Sequence, residues 1–229
     1  MLNRYFIMLL LVTASALSGI FSFRLFIADI NYENASTKLN SWDREKKIEK
    51  TTDYELALNS INSAIKFNPN NPHYLDTKAR ILSRGILLNN DDQEKYKEVI
   101  SLYRESLEKR KNWPVTWVEL ASVNAYVHGI TPETISYINN ALIYGPYNRF
   151  VITTASGILL NNWESLNTEE KLFFFRLLDI AASKPQILTT VIQDAQSVEM
   201  EKLICIQIKY KSQFNKYQQQ WPFKGICGF

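Results

Sequence analysis

A chain of 229 residues can bury one sizeable core and does not demand two globular domains. Only seven glycines occur, which argues against glycine-rich phosphate loops and many-turned β folds and favours helices with short connections. A net charge of +3 is too small to imply a nucleic-acid partner.

The first element is hydrophobic. After Arg4, the 19 residues from Tyr5 to Phe23 carry no charge, and apolar character resumes at Leu25-Phe26-Ile27. About 20 such residues cross the hydrocarbon core of a bilayer. One reading is a cleaved signal peptide with Ala14-Ser15-Ala16 as the cleavage site; the other is an uncleaved signal anchor over residues 1–27. Cleavage after Ala16 would leave LSGIFSFRLFIADI at the start of a soluble protein, so the anchor is preferred. Arg4 opposes a mixed flank of Arg24, Asp29 and Glu33, a slight orientation bias; an apolar N-terminus favours export of the rest. Residues 28–50 read as an amphipathic lead-in helix with Ala35, Leu39 and Trp42 on one face. The run DREKKIEK (43–50) reads as a solvated charged turn.

Next comes YELALNSINSAIKFNPNNP. Ala57, Ile61 and Ala64 lie on one helical stripe, and Pro69 ends the element. Two alanines in that stripe let a second helix approach closely. A new register follows with Leu75, Ala79 and Leu82, and then Val99, Tyr103 and Ser106. Eight extra residues are assigned to a loop, GILLNNDD (85–92). Further on, WVELASVNAY places Trp117, Leu120 and Ala121 together, and Ala141 and Pro146 repeat the five-residue gap from Ala64 to Pro69. Thr131-Pro132-Glu133 has the form of a helix start, and Thr168-Glu169-Glu170 is assigned the same role. Gly129 and Gly145 are expected to end helices in the left-handed conformation. A last, weak unit from Arg149 to Pro185 keeps only Ala155, Ser156 and the closing proline.

These motifs, W-x-x-L-[GA] and the alanine stripe closed by Asn-Pro, recur at about 34 residues and resemble the tetratricopeptide (TPR) repeat over residues 51–185. The resemblance implies an all-α chain: a transmembrane helix, an α-solenoid of three to four helix pairs, and capping helices in 186–229. Lys111 stands where that family usually has proline. If the repeats stack as the family's do, the first helix of each pair lines a concave groove. Carried over residue by residue, the groove positions are His73, Asp76, Arg80, Arg84, Ser122, Tyr126, Thr153 and Asn161. Arg80 and Arg84 share a face and suit a carboxylate or an acidic sugar; the alternative is a solvated face with Asp76 paired to Arg80.

The order of anchor, lead-in helix and TPR-like units resembles the VpsP-like proteins of bacterial exopolysaccharide biosynthesis. That likeness implies an accessory, non-catalytic component of a polysaccharide machine, held in the inner membrane with its C-terminal part in the periplasm. Its partners would be proteins of an envelope assembly, with acidic polysaccharide as a further candidate. A carbohydrate-binding subunit, or a TPR adaptor in secretion or cell division, remains the alternative.

No residue pattern points to catalysis, a metal or a cofactor. His73 and His128 stand alone, and no HExxH, G-x-S-x-G or P-loop occurs. Trp113, Trp117 and Trp163 offer flat faces for sugars, but Trp117 is expected to be buried. The tail after Glu201 holds five lysines and no acid, interleaved with aromatics. It suits either an anionic surface or a solvated terminal cap. Cys205 and Cys227 either pair, in an oxidising compartment, or serve as small buried hydrophobes.

Overall fold

The structure, a computed structural model, describes residues 2–45, 48, 50–89 and 93–228. Among them every regular element is helical, as composition predicts. The chain forms two compact units, Met1–Lys111 and Asn112–Phe229, where its length required only one.

The N-terminal unit contains α1 (Leu2–Glu45), α2 (Thr51–Phe67), α3 (Pro72–Asn89) and α4 (Gln93–Lys109). α1 is one unbroken helix of 44 residues, about 66 Å long at 1.5 Å per residue. No proline or cap interrupts it, so the boundary drawn at residues 27 and 28 lies inside a continuous element. Residues 4–24 are exposed on every side. An apolar surface around the whole circumference matches lipid, and this helix is long and apolar enough to cross a membrane. From Ala28 onward burial becomes one-sided: Ala28, Ala35, Leu39 and Trp42 are buried against Ala57, Ile61 and Ala64 of α2 and Tyr74 and Ile81 of α3. The lead-in stripe and the alanine stripe therefore form one core.

Two sequence expectations in this unit are corrected. The loop expected at 85–92 does not begin at Gly85, because α3 runs on to Asn89. Gly85 is there for close approach: a Cβ on it would lie 2.4 Å from the Tyr54 ring. Asp91 and Asp92 lie outside the described residues. The charged run at 43–50 is not simply solvated either. Asp43 sits in the last turn of α1 and accepts from Arg80 and Arg84 of α3.

The C-terminal unit contains α5 (Pro114–His128), α6 (Pro132–Tyr144), α7 (Arg149–Asn161), α8 (Thr168–Ala181), α9 (Pro185–Ser197), α10 (Glu201–Tyr210) and the short α11 (Phe223–Cys227). Three of these open on proline, whose missing N–H has no intrahelical partner at that position anyway. Thr131 caps α6 as predicted, accepting from Thr134 N at 3.2 Å. The cap of α8 is Asn167 rather than Thr168. Asn167 Oδ1 accepts from Glu170 N at 3.0 Å, and Asn167 N donates to Glu170 Oε2 at 2.8 Å, so the amide side chain takes the capping place one residue earlier. Gly129 has the positive φ expected of it, at +74°. Gly145 does not; its φ is −146°, and it is needed because a Cβ there would meet Pro114 at 2.7 Å. Trp117 is half-buried rather than fully enclosed, with its ring centroid 5.8 Å from that of Tyr137.

The tail packs onto this unit. Cys205 and Cys227 form a disulfide. Phe214, Tyr217 and Phe223 are buried, and Tyr217 donates its hydroxyl hydrogen bond to Ala182 O at 2.6 Å. Lys211 pairs with Asp179 at 3.0 Å.

Candidate functional site: a polar cleft along three helices

Packing leaves one face of α5, α7 and α9 uncovered. In α7, Ile152, Ala155, Ser156 and Leu159 point into the core and are fully buried or nearly so. Thr153, Gly157 and Asn161, four residues apart, therefore form a stripe on another face. Ser122 and Tyr126 of α5 have the same spacing, and Asp194 and Ser197 of α9 are three apart. Together these residues line a cleft of ≈ 660 Å³, within the range of small-ligand sites.

The four groove residues predicted in this unit, Ser122, Tyr126, Thr153 and Asn161, thus meet in one place. Gly157, Asp194 and Ser197 were not predicted. The four-residue spacing on either side of Gly157 was a usable signal. Asp194 and Ser197 lie past Pro185, where the repeat pattern ends, and nothing in the sequence points to them.

Several polar side chains of the cleft bond to the backbone beside them. Asn161 Nδ2 donates to Gly157 O at 2.8 Å, and Asn162 Nδ2 to Ile158 O at 2.8 Å. Thr153 Oγ1 donates to Arg149 O at 3.0 Å, and Ser197 Oγ to Asp194 O at 2.6 Å. Each of these side chains gives one hydrogen bond to its own helix, and since each amide nitrogen carries a second N–H the lining holds donors as well as acceptors. Asp194 adds a carboxylate, and no lysine or arginine is among the lining residues. Tyr126 is 63% exposed at the edge.

The groove residues predicted in the N-terminal unit have a different fate. Asp76 is buried and accepts from Arg110 Nη2 at 3.0 Å. Arg80 and Arg84 converge on Asp43, 2.5 Å away in each case, so the chain's own carboxylate fills the clamp that the spacing suggests. His73 is exposed beside Tyr32, at 6.4 Å between ring centroids. Partial desolvation pushes its pKa down, the Arg110 guanidinium adds to that, and Asp76 works against it. Below it, Tyr74 donates to Asp29 Oδ1 at 2.5 Å; burial and that carboxylate push its pKa up to about 12. Burial, with Glu98 nearby, also raises that of Tyr54.

Among the described residues no group of three histidine, cysteine, aspartate or glutamate side chains converges as a metal site would require. Trp163 is engaged edge-to-face by Phe174, 5.4 Å away, with Lys171 over its ring. Trp113 is more accessible, 37% exposed. Neither a protein-family model nor a curated protein matches the chain.

Proposed function

We propose that the protein is a non-catalytic, membrane-anchored interaction module built from TPR-like helix pairs, serving as an accessory component of bacterial exopolysaccharide synthesis or export. The observation that carries this reading is α1: a lipid-suited helix that continues without a break into a folded helical core. An element of that kind holds a binding surface at a fixed place on a membrane.

Two further observations support it. Within the N-terminal unit α1 contacts both α2 and α3; within the C-terminal unit α5 contacts α6 and α7, and α7 contacts α8 and α9. First helices of successive pairs touching one another is the neighbour pattern of stacked helical repeats. The Cys205–Cys227 disulfide favours an oxidising compartment, in keeping with a periplasmic C-terminal part and an inner-membrane anchor.

Deleting the gene in its host tests the reading. Surface polymer output should fall while glycosyltransferase activity in isolated membranes persists, and restoration should require residues 2–24 along with the folded part. Undiminished polymer output would overturn it.

A further inference from the structure

From the point at which α1 enters the folded unit, we infer that the turn joining α2 to α3, together with Arg24 of α1, lies on the membrane surface and binds the phosphate groups of anionic phospholipids. This rests on the anchored reading of α1 and names the surface through which the N-terminal unit meets its membrane.

Depth is fixed by the length of the apolar stretch. The 19 uncharged residues from Tyr5 to Phe23 span about 28 Å at about 1.5 Å per residue, close to the hydrocarbon thickness of about 30 Å. With that stretch in the bilayer none of it is left over as a tether. Arg24 then stands at the level of the headgroups, where a long cationic side chain reaches phosphate. Folding begins at once: Leu25 and Ile27 are half-buried and Ala28 is fully buried. Phe26, two residues past Arg24, is 60% exposed, an apolar ring that suits the interface better than water.

The second observation is where α2 ends. Arg24 Nη2 donates to Phe67 O at 3.5 Å, and Lys38 pairs with Asp53 at 2.7 Å. The step from Arg24 to Lys38 equals, in residues, the step from Phe67 back to Asp53. So α1 and α2 run antiparallel side by side, and the C-terminal end of α2 is level with Arg24. The turn at 68–71 is therefore carried to the bilayer surface, and Lys66, Pro69 and Asn70 are exposed there.

The third is charge. No acidic residue occurs from Lys66 to His73. Arg24 and Lys66 are exposed, and among the described residues neither is paired with a carboxylate. Asp29, the nearest acid along α1, accepts from the Tyr74 hydroxyl. Arg24 gives one N–H to Phe67 O and keeps the rest of its fork for a phosphate. A lysine or arginine held near an anionic leaflet strengthens attachment by about fivefold, so two of them distinguish an anionic headgroup from a zwitterionic one.

The test uses the full-length protein in vesicles of phosphatidylcholine and phosphatidylglycerol. Because Cys205 and Cys227 are paired, Asn70→Cys supplies a single thiol for a fluorophore. Asn40→Cys, at an exposed position of α1 about 24 Å beyond Arg24, is its control. Lipids carrying a nitroxide near the headgroup quench a fluorophore they touch. Quenching should be several-fold greater at position 70 than at position 40. At position 70 it should be at least about twofold greater from labelled phosphatidylglycerol than from labelled phosphatidylcholine. Arg24→Gln with Lys66→Gln should bring the two lipids level, while Lys66→Arg, which keeps the charge, should keep the preference. Equal quenching at the two positions, no preference for phosphatidylglycerol, or a preference that survives the double glutamine substitution overturns the inference. A fluorophore on Ser15→Cys separates the two readings: quenching there but not at position 70 removes the surface contact alone, and shielding at both removes the anchored reading with it.

Discussion

The two units bury similar stripes of small side chains but fasten their helices by different means. In the N-terminal unit charged groups cross between helices: Lys38 to Asp53, Arg80 and Arg84 to Asp43, Lys78 to Glu98, Arg110 to Asp76. The C-terminal unit has the Lys211–Asp179 pair as well, but relies on large apolar side chains such as Phe174, Leu177 and Leu178, on reciprocal caps at Thr131 and Asn167, and on a disulfide that holds the tail. Ion pairs that keep some contact with water contribute little each and respond to salt. Buried apolar area and a covalent link do not. The first unit should be the one that ionic strength and pH loosen, and the second the one that truncation and reduction loosen.

Five measurements on the full-length protein in detergent probe that contrast, in order of expected size. Phe174→Ala removes a fully buried ring from the C-terminal unit and should cost about 3–5 kcal/mol, seen as an early melting transition in circular dichroism. Reducing the Cys205–Cys227 bond, which spans 22 residues, should cost about 3 kcal/mol and free the tail to amide exchange, with α1–α4 unaffected. Asp76→Ala removes the buried carboxylate that pairs with Arg110 at 3.0 Å, and should cost about 1.5–3 kcal/mol in the N-terminal unit.

The fourth concerns alkaline pH. Tyr74 has its pKa raised from 10.0 to about 12. A group whose folded pKa is raised lends stability that is whole below its unfolded value and disappears as pH climbs through the folded one. The N-terminal unit should thus loosen between about pH 10 and pH 12, and Tyr74→Phe, at a neutral-pH cost of about 1 kcal/mol, should flatten that limb of the pH profile. The smallest effect belongs to Asp43→Asn, at most about 1 kcal/mol, shrinking further as salt is raised. A salt-insensitive loss there, or a C-terminal unit that follows ionic strength more closely than the N-terminal one, would break the contrast.

Most of the fold was legible because helices announce themselves locally. The stripes through Ala35, Leu39 and Trp42 and through Ala57, Ile61 and Ala64 depend on offsets of three and four, and all six are buried. Prolines at helix starts are legible for the same reason. What was not legible depends on residues far apart in sequence. Arg80 and Arg84 advertise an anion site, but their anion, Asp43, lies 37 and 41 residues earlier. Gly85 and Gly145 look like breakers until the ring of Tyr54 and the side chain of Pro114 are known to press on them. The candidate cleft divides in the same way. Ser122, Tyr126, Thr153 and Asn161 follow from the groove positions that the TPR resemblance implies, whereas Asp194 and Ser197 enter only because α9 packs beside α7.

The account turns on the anchor and the folded units acting as one device that holds an assembly together. Affinity purification of the full-length protein from solubilised membranes, with residues 2–24 intact, measures this directly. The account predicts recovery of membrane proteins of a polysaccharide synthesis or export machine in fixed proportion to the bait, and their loss when residues 2–24 are removed. A protein that elutes alone from intact membranes, or whose partners are the same without the anchor, would contradict it.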